Sequence, residues 1–270
     1  MKRKLLPILS VLILMIAAGA DLYPTISSWV NNMLARGEIS QYNDTVYTLS
    51  EEDKAEYLMQ AKFYNDSIDS CFSDSLSGAF IDDESYMNTL CLSESGQIGT
   101  IDIPKIDCHL PIYHGTGEDM LSKGAEHMVG TSLPIGGEST HAVISAHTAY
   151  PGMILFDRLT DMKLGDTFSV TVLGDTLTYK VIDIIIVLPT DISYLRIEQG
   201  RDLVTLMTCT PYSVNTHRLL VTGERCYDVT NEEQITVASA KDYAPLYIAI
   251  AVLVVISVMI VFIGVRKCRR

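Results

Sequence analysis

The sequence predicts a mainly β fold: an eight-stranded, closed or nearly closed β-barrel with short helices. A helical N-terminal region precedes it and a C-terminal transmembrane helix follows. Three observations lead there. From Gln97 to about Gly223, short β-type runs alternate with turn signals, eight runs in ~125 residues, which suits a barrel. Residues 31–95 are instead polar, with apolar positions at helical spacing. Apolar runs lie near both ends of the chain, at Leu5–Ala20 and Ala244–Val265.

Charge divides the chain in the same way. The 270 residues carry a formal charge of −13, but residues 1–20 and 244–270 hold seven basic residues and no acid. All 33 acids and the other 13 bases lie in 21–243, so that stretch carries −20. An acidic surface argues against a nucleic-acid partner, because binding phosphates takes a basic face. With 48% hydrophobic residues and 20% charged, the chain is not of the disordered class.

Leu5–Ala20 follows Lys2-Arg3-Lys4 and is 16 residues long, short for a span and suited to a signal-peptide core. Ala18-Gly19-Ala20 fits a small-residue cleavage site. A retained anchor continuing toward Trp29 and Val30 is the other reading, so residues 1–22 are a signal or signal-anchor segment. Ala244–Val265 is uncharged for 22 residues, ~33 Å as a helix, enough to cross a bilayer. Tyr243 and Tyr247 mark one edge and the basic tail 266–270 the other. The positive-inside rule puts that tail in the cytoplasm and the acidic middle outside the cell. Of six cysteines, Cys268 falls on the cytoplasmic side. The other five form no dense framework, and Cys71 with Cys91 is the candidate disulfide.

Between the ends, residues 23–95 form the helical N-terminal region. Ser50-Glu51-Glu52-Asp53 opens an amphipathic helix with Ser50 as N-cap and Asp53 at N3. Residues 70–88 are small, acidic and Ser-rich, and read as a loop. The barrel, 96–226, has strands near 97–103, 109–113, 126–131, 141–147, 166–173, 176–188, 203–209 and 217–224. Gly174-Asp175 marks a hairpin between two of them, and helical turns fit 117–124 and 152–160. Residues 227–243 are a polar spacer.

Chemistry concentrates in Thr205–Tyr212 and Asn215–Arg218. A β-run ends on Cys209, Pro211 breaks the strand, and a second run begins with Arg218. Adjacent strands joined this way place Cys209 and Arg218 together at one barrel end. A guanidinium favours a thiolate and can donate to a developing oxyanion. A lone Cys in a strand is more often a packing residue, but this one ends a strand beside a charged neighbour. A Cys nucleophile also needs a base or an imidazolium. His147 closes the run from His141 and precedes a loop, which lets it project over the rim. His217 and Arg218 are neighbours in a strand and point to opposite faces, so both cannot face Cys209. His109 and His114 look structural, while His127 and His141 have no evident role. No spacing suggests a metal site or cofactor.

The segments TLMTCTPY and NTHRLLVTGER resemble the signature of the sortase family, the cysteine transpeptidases of Gram-positive bacteria. So do Ile101–Ile106, Leu110–Thr116, Gly130–Pro134, Gly136–Ala142 and the run into His147, all in the family's order. Within the family the chain is similar to class C, the pilin-polymerising sortases. Tyr23-Pro24, Ser27 and Asn31, after the first apolar segment, match that class, as do the two apolar ends.

The resemblance implies a sortase-type barrel and a role for each residue. Cys209 is the nucleophile that attacks the Thr carbonyl of an LPxTG-like sorting signal and forms a thioacyl enzyme. His147 is the general acid for the leaving Gly amine, then the base for an incoming amine. Arg218 holds substrate and stabilises the oxyanion. A pilin Lys amine accepts the acyl group. The alternatives are a sortase that anchors surface proteins to cell-wall peptidoglycan through a cell-wall precursor, and, in a different class, a non-catalytic surface β-barrel or adhesin. Class C members carry a lid before the barrel, with an Asp followed by a small residue and an aromatic ring. The nearest match, within 70–88, is Gly78-Ala79-Phe80, with Asp74 or Asp82 as substitute carboxylates. Thr148-Ala149 stands where many relatives have a basic residue after the His, which is expected to shift substrate preference.

Overall fold

In the computed structural model, the described residues are 2–68, 84–92, 95–115, 123–150 and 153–227. The chain divides into two compact units, residues 1–27 with 231–270 and residues 28–230, and the barrel belongs to the second. Three helices come first: α1 (Lys2–Thr48), α2 (Glu51–Ser67) and α3 (Glu84–Asn88). Eight strands follow: β1 (Gln97–Ile103), β2 (Cys108–His114), β3 (Ala125–His127), β4 (Thr140–Ser145), β5 (Thr167–Val172), β6 (Asp175–Val187), β7 (Asp202–Thr210) and β8 (His217–Arg225). They close into a barrel in the order β1-β2-β3-β4-β7-β8-β6-β5. The β2–β3 and β4–β7 pairs are parallel, and the other six are antiparallel. All eight predicted strands are present. The third stops at His127 because a turn follows, with Gly130 at φ 85° and the Thr131 hydroxyl donating to Met128 O at 2.7 Å. The fourth stops at Ser145, two residues before His147. The predicted hairpin is tight: Leu173 and Gly174, both at positive φ, link Val172 to its partner Asp175, the backbone that a two-residue turn between twisted strands requires.

Residues 28–48 of α1, together with α2, lie against the barrel. Ala35, Ile39, Tyr42 and Val46 recur every three to four residues on α1 and are all buried, the stripe a helix presents to a core. The Tyr42 hydroxyl donates to Ile98 O at 2.9 Å and accepts from Leu173 N at 3.1 Å, bridging α1 to two parts of the barrel. Burial pushes that phenol up to about 12. The capping box forms as predicted, with Asp53 N donating to Ser50 Oγ at 3.1 Å and Ser50 N to Asp53 Oδ2 at 3.3 Å. Near the other end of α2, Asn65 accepts from Leu133 N at 2.7 Å and donates to Leu133 O at 3.1 Å.

Two expectations are corrected. The segment 70–88 is not loop throughout, since its last five residues are α3 and Tyr86 is 1% exposed. The Tyr86 hydroxyl sits 2.8 Å from His127 Nδ1 and accepts from Gly115 N at 3.1 Å, while the ring meets His114 edge-on at 4.6 Å. A phenol buries readily when its polar tip finds such partners. The helical turn over 152–160 reduces to a 3-10 turn at Leu159–Asp161. Phe156 N donates to His147 O at 3.1 Å, and that bond draws the chain into the β4–β5 loop instead of a helix. Phe80, Asp74 and Asp82, Cys71, most of the 117–124 turn, most of the 227–243 spacer, Ala244–Val265 and the tail 266–270 lie outside the described residues. Among the described residues no helix is long and apolar enough to cross a membrane.

Candidate active site

Strand pleating sorts the side chains of β4, β7 and β8 into two clusters. Ala142, Ile144, Val204, Leu206, Leu219 and Val221 belong to the large barrel core. Val143 and Leu220, between them, and Met207, next to Leu206, join Met128, Val187 and Leu195 in a second cluster. Successive strand residues face opposite ways, so the second cluster lies on the outer face of the barrel. Leu195 covers it from the turn Ser193–Leu195 between β6 and β7.

His141 ties that covering segment down. Its Nδ1 lies 2.8 Å from Arg196 O, and its Nε2 lies 2.7 Å from Thr205 Oγ1, which in turn lies 2.8 Å from Thr222 Oγ1. Burial lowers the proton affinity of the ring, and the Arg196 carbonyl partly offsets this. The residue with no evident role in the sequence therefore holds in place the segment that covers the outer cluster.

Cys209 stands two residues beyond Met207, and Arg218 two before Leu220, so both share the outer face. They are also direct partners in the β7–β8 register, Cys209 opposite Arg218 and Thr210 opposite His217. His217 belongs to the opposite face, as expected, with Nδ1 3.0 Å from Thr216 Oγ1. Both Cys209 and Arg218 are half-buried. The Arg218 guanidinium donates through Nη1 to His217 O at 3.2 Å and Asn215 O at 3.4 Å.

The parallel β4–β7 register brings His147 to the same place. Ser145 lies opposite Met207. The contact continues past the strand end, with Ala146 N donating to Met207 O at 3.1 Å and Thr208 Oγ1 to Ala146 O at 2.7 Å. Carried on by two residues, the register sets His147 level with Cys209. All three candidates thus converge at one end of the outer face, Cys209 and Arg218 on β7 and β8 and His147 just past the end of β4.

The residues around His147 carried no signal in the sequence. The hydroxyls of Thr148 and Thr208 hydrogen-bond each other, which fastens the exit of β4 to β7 next to Cys209. Thr148 is buried and serves as this tie. Tyr150 stacks on the His147 ring, with centroids 5.3 Å apart and planes 14° apart. Asp157 accepts from Ala149 N and from Leu155 N, both at 2.9 Å. Cys108 is a different kind of thiol: it is buried and its proton is held well above the usual range by burial, the state of an inert packing cysteine. Among the described residues no group of three or more His, Cys, Asp or Glu side chains is placed to hold a metal ion.

Comparison with known proteins identifies the family of the barrel. The Sortase domain family matches residues 101–226. Sortase C1 from Streptococcus agalactiae is 41% identical, with a TM-score of 0.67 over 71% of this chain and 99% of that one. A sortase C from Clostridium perfringens, solved with the C-terminal cell wall sorting motif, is 38% identical, with a TM-score of 0.62 over 71% of this chain and 99% of that one. Sortase A from Streptococcus agalactiae is 32% identical over 155 residues, 54% of this chain. The chain spans 61% of that relative's length and 58% of a second curated relative's. With this likeness across the barrel, and with C-type sortases among its structural neighbours, the chain belongs to the sortase family of cysteine transpeptidases.

Proposed function

We propose that this protein is a membrane-anchored transpeptidase of the class C type. It cleaves an LPxTG-like sorting signal between Thr and Gly and transfers the acyl group to a pilin Lys amine, building pili. The observation that carries this reading is the convergence of Cys209, Arg218 and the continued register of His147 at one end of the barrel's outer face. The Cys209 thiolate attacks the Thr carbonyl carbon and the carbonyl π electrons move onto oxygen. Arg218 keeps Nη2 and Nε as donors for that oxyanion, beyond the Nη1 bonds to the β7–β8 loop. Collapse of the intermediate breaks the C–N bond, and His147 delivers the proton the departing Gly amine needs. The Lys amine then attacks the thioacyl carbon, His147 takes its proton, and the Cys209 thiolate leaves.

Membrane attachment rests on Ala244–Val265 and its basic flank, which place the barrel outside the cell. The test is to incubate the full chain in detergent with an LPxTG peptide and read its mass. The expected product is an acyl adduct on Cys209, absent in Cys209→Ala, that transfers to an added Lys-containing pilin domain. Absence of any adduct on the wild-type chain refutes the catalytic reading. An adduct that transfers to a peptidoglycan-precursor amine in preference to a Lys side chain refutes the pilin assignment.

A further inference from the structure

The loop leaving β4 is braced around His147 by two side chains that touch neither Cys209 nor Arg218 in any contact described. Asp157 uses one carboxylate oxygen for each of two backbone donors: Oδ1 accepts from Ala149 N and Oδ2 from Leu155 N, each at 2.9 Å. Ala149 is held at φ 61°, a left-handed conformation that residues other than Gly adopt sparingly. That reversal turns the next residue back, and the Tyr150 ring lies on the His147 imidazole, 5.3 Å between centroids and 14° from parallel. The third restraint is the Phe156 N–H, which donates to His147 O at 3.1 Å from the residue before Asp157. The His147 backbone and ring are thus both fixed from the 149–157 loop.

From this geometry we infer that Asp157 and Tyr150 are positioning residues for the reaction: Asp157 holds the Ala149 reversal, and the reversal stacks Tyr150 on His147, fixing the ring for proton transfer. The inference rests on the acid–base role proposed for His147. Asp157 itself handles no proton. Its effect passes through Ala149 and Tyr150, so loss of the carboxylate frees the ring without touching the nucleophile. Proton delivery matters when the leaving group is an amine and matters little when it is a thiolate, because a thiolate departs without one.

The test compares the full-length wild type with Asp157→Ala, Asp157→Asn, Tyr150→Leu, Tyr150→Phe and His147→Ala. Single-turnover acylation of Cys209 is measured with an LPxTG amide peptide and with the same peptide bearing a thioester at the scissile position. Asp157→Ala and Tyr150→Leu are expected to slow the amide reaction about tenfold or more, within the range a general acid supplies, and the thioester reaction less than about threefold, the same selectivity as His147→Ala. Tyr150→Phe keeps the ring and restores most of the rate lost in Tyr150→Leu. Asp157→Asn keeps one acceptor and falls between; it also replaces Asp157→Ala should that variant fail to fold. Equal losses on both substrates, or none on either, overturn the inference.

A second readout needs no activity. Carbethoxylation of His147 by diethyl pyrocarbonate, followed by peptide mass spectrometry, is expected to run several-fold faster in Asp157→Ala and Tyr150→Leu. An unchanged rate overturns the positioning role. A wild type that acylates neither substrate, yet shows this reactivity difference, refutes the transpeptidase reading and leaves the brace standing.

Discussion

Cys209 on β7 stands directly opposite Arg218 on β8, on the outer face of the barrel. The pair is made by a local device. A strand ends, Pro211–Thr216 turns the chain, and the next strand carries the guanidinium on its second residue. Thiol and cation therefore share a fixed spacing that no distant part of the fold can alter without breaking the ladder.

Replacing Arg218 by Lys tests what the guanidinium contributes. Lys keeps the charge but has one nitrogen in place of three, so it cannot hold the Asn215 and His217 carbonyls and still present donors to an oxyanion. The expected loss in kcat/KM toward an LPxTG peptide is about 10²-fold, the scale of one lost oxyanion donor. Iodoacetamide labelling of Cys209 should continue. Peptide kinetics alongside labelling checks both.

The buried histidines predict acid sensitivity. Burial pushes His127 down to about 3 and His114 down to about 4. Folded, both stay neutral until those values, whereas in the unfolded chain they take up protons near 6.5. Below about pH 6.5 the unfolded state binds more protons, so stability falls with pH at about 1.4 kcal/mol per unit for each ring. The decline continues until the folded values are reached. Denaturant titrations at pH 7, 6 and 5 should show it, and His127→Gln should make the slope shallower by about one proton.

Removing the Asn65 side chain should loosen α2. Asn65→Ala leaves the buried Leu133 N–H without its acceptor at a cost of about 1–3 kcal/mol, while the Leu133 carbonyl keeps the bond from Ile135 N at 2.8 Å. A fall in Tm of about 2–4 °C per kcal/mol is expected for a unit of this size. Calorimetry on the variant and on an exposed control, Gln60→Ala, checks it.

Gly223 is a packing position on β8. A methyl group there would meet Phe168 Cε1 at 2.6 Å, Phe168 Cζ at 2.8 Å and Tyr179 Cβ at 3.0 Å. Phe168 and Tyr179 stack on each other at 5.7 Å, so neither ring has room to yield. Gly223→Ala should cost about 1–3 kcal/mol through overpacking, measured by urea denaturation. Arg218 and its partner Cys209 lie at the other end of β8, so acylation of Cys209 should persist at temperatures where the variant is folded.

Much of this architecture was legible in the chain because its causes are local. Alternation of apolar and polar residues marked the strands, Gly174 and Pro211 marked the turns, and Ser50 with Asp53 marked the start of α2. The same locality made Cys209 and Arg218 readable as partners, and strand pleating separated Arg218 from His217. Tyr86 was misread as a loop residue because its partners, His127 and His114, are brought to it only by β2 and β3.

The sequence by itself determined the strand content, the charge division between ends and middle, and the pairing of Cys209 with Arg218. Only the tertiary structure set His147 level with Cys209. Ala146 and Thr208, the bonded pair just before them, stand 62 residues apart, joined by a parallel β4–β7 ladder. Parallel strands have no tight turn between them to announce their pairing, so their register exists only once the barrel has closed. The same closure gives Thr148 its partner Thr208, covers the outer cluster with Leu195 and turns His141 into its tether. Those contacts are set by which strands become neighbours, and no spacing along the chain records that.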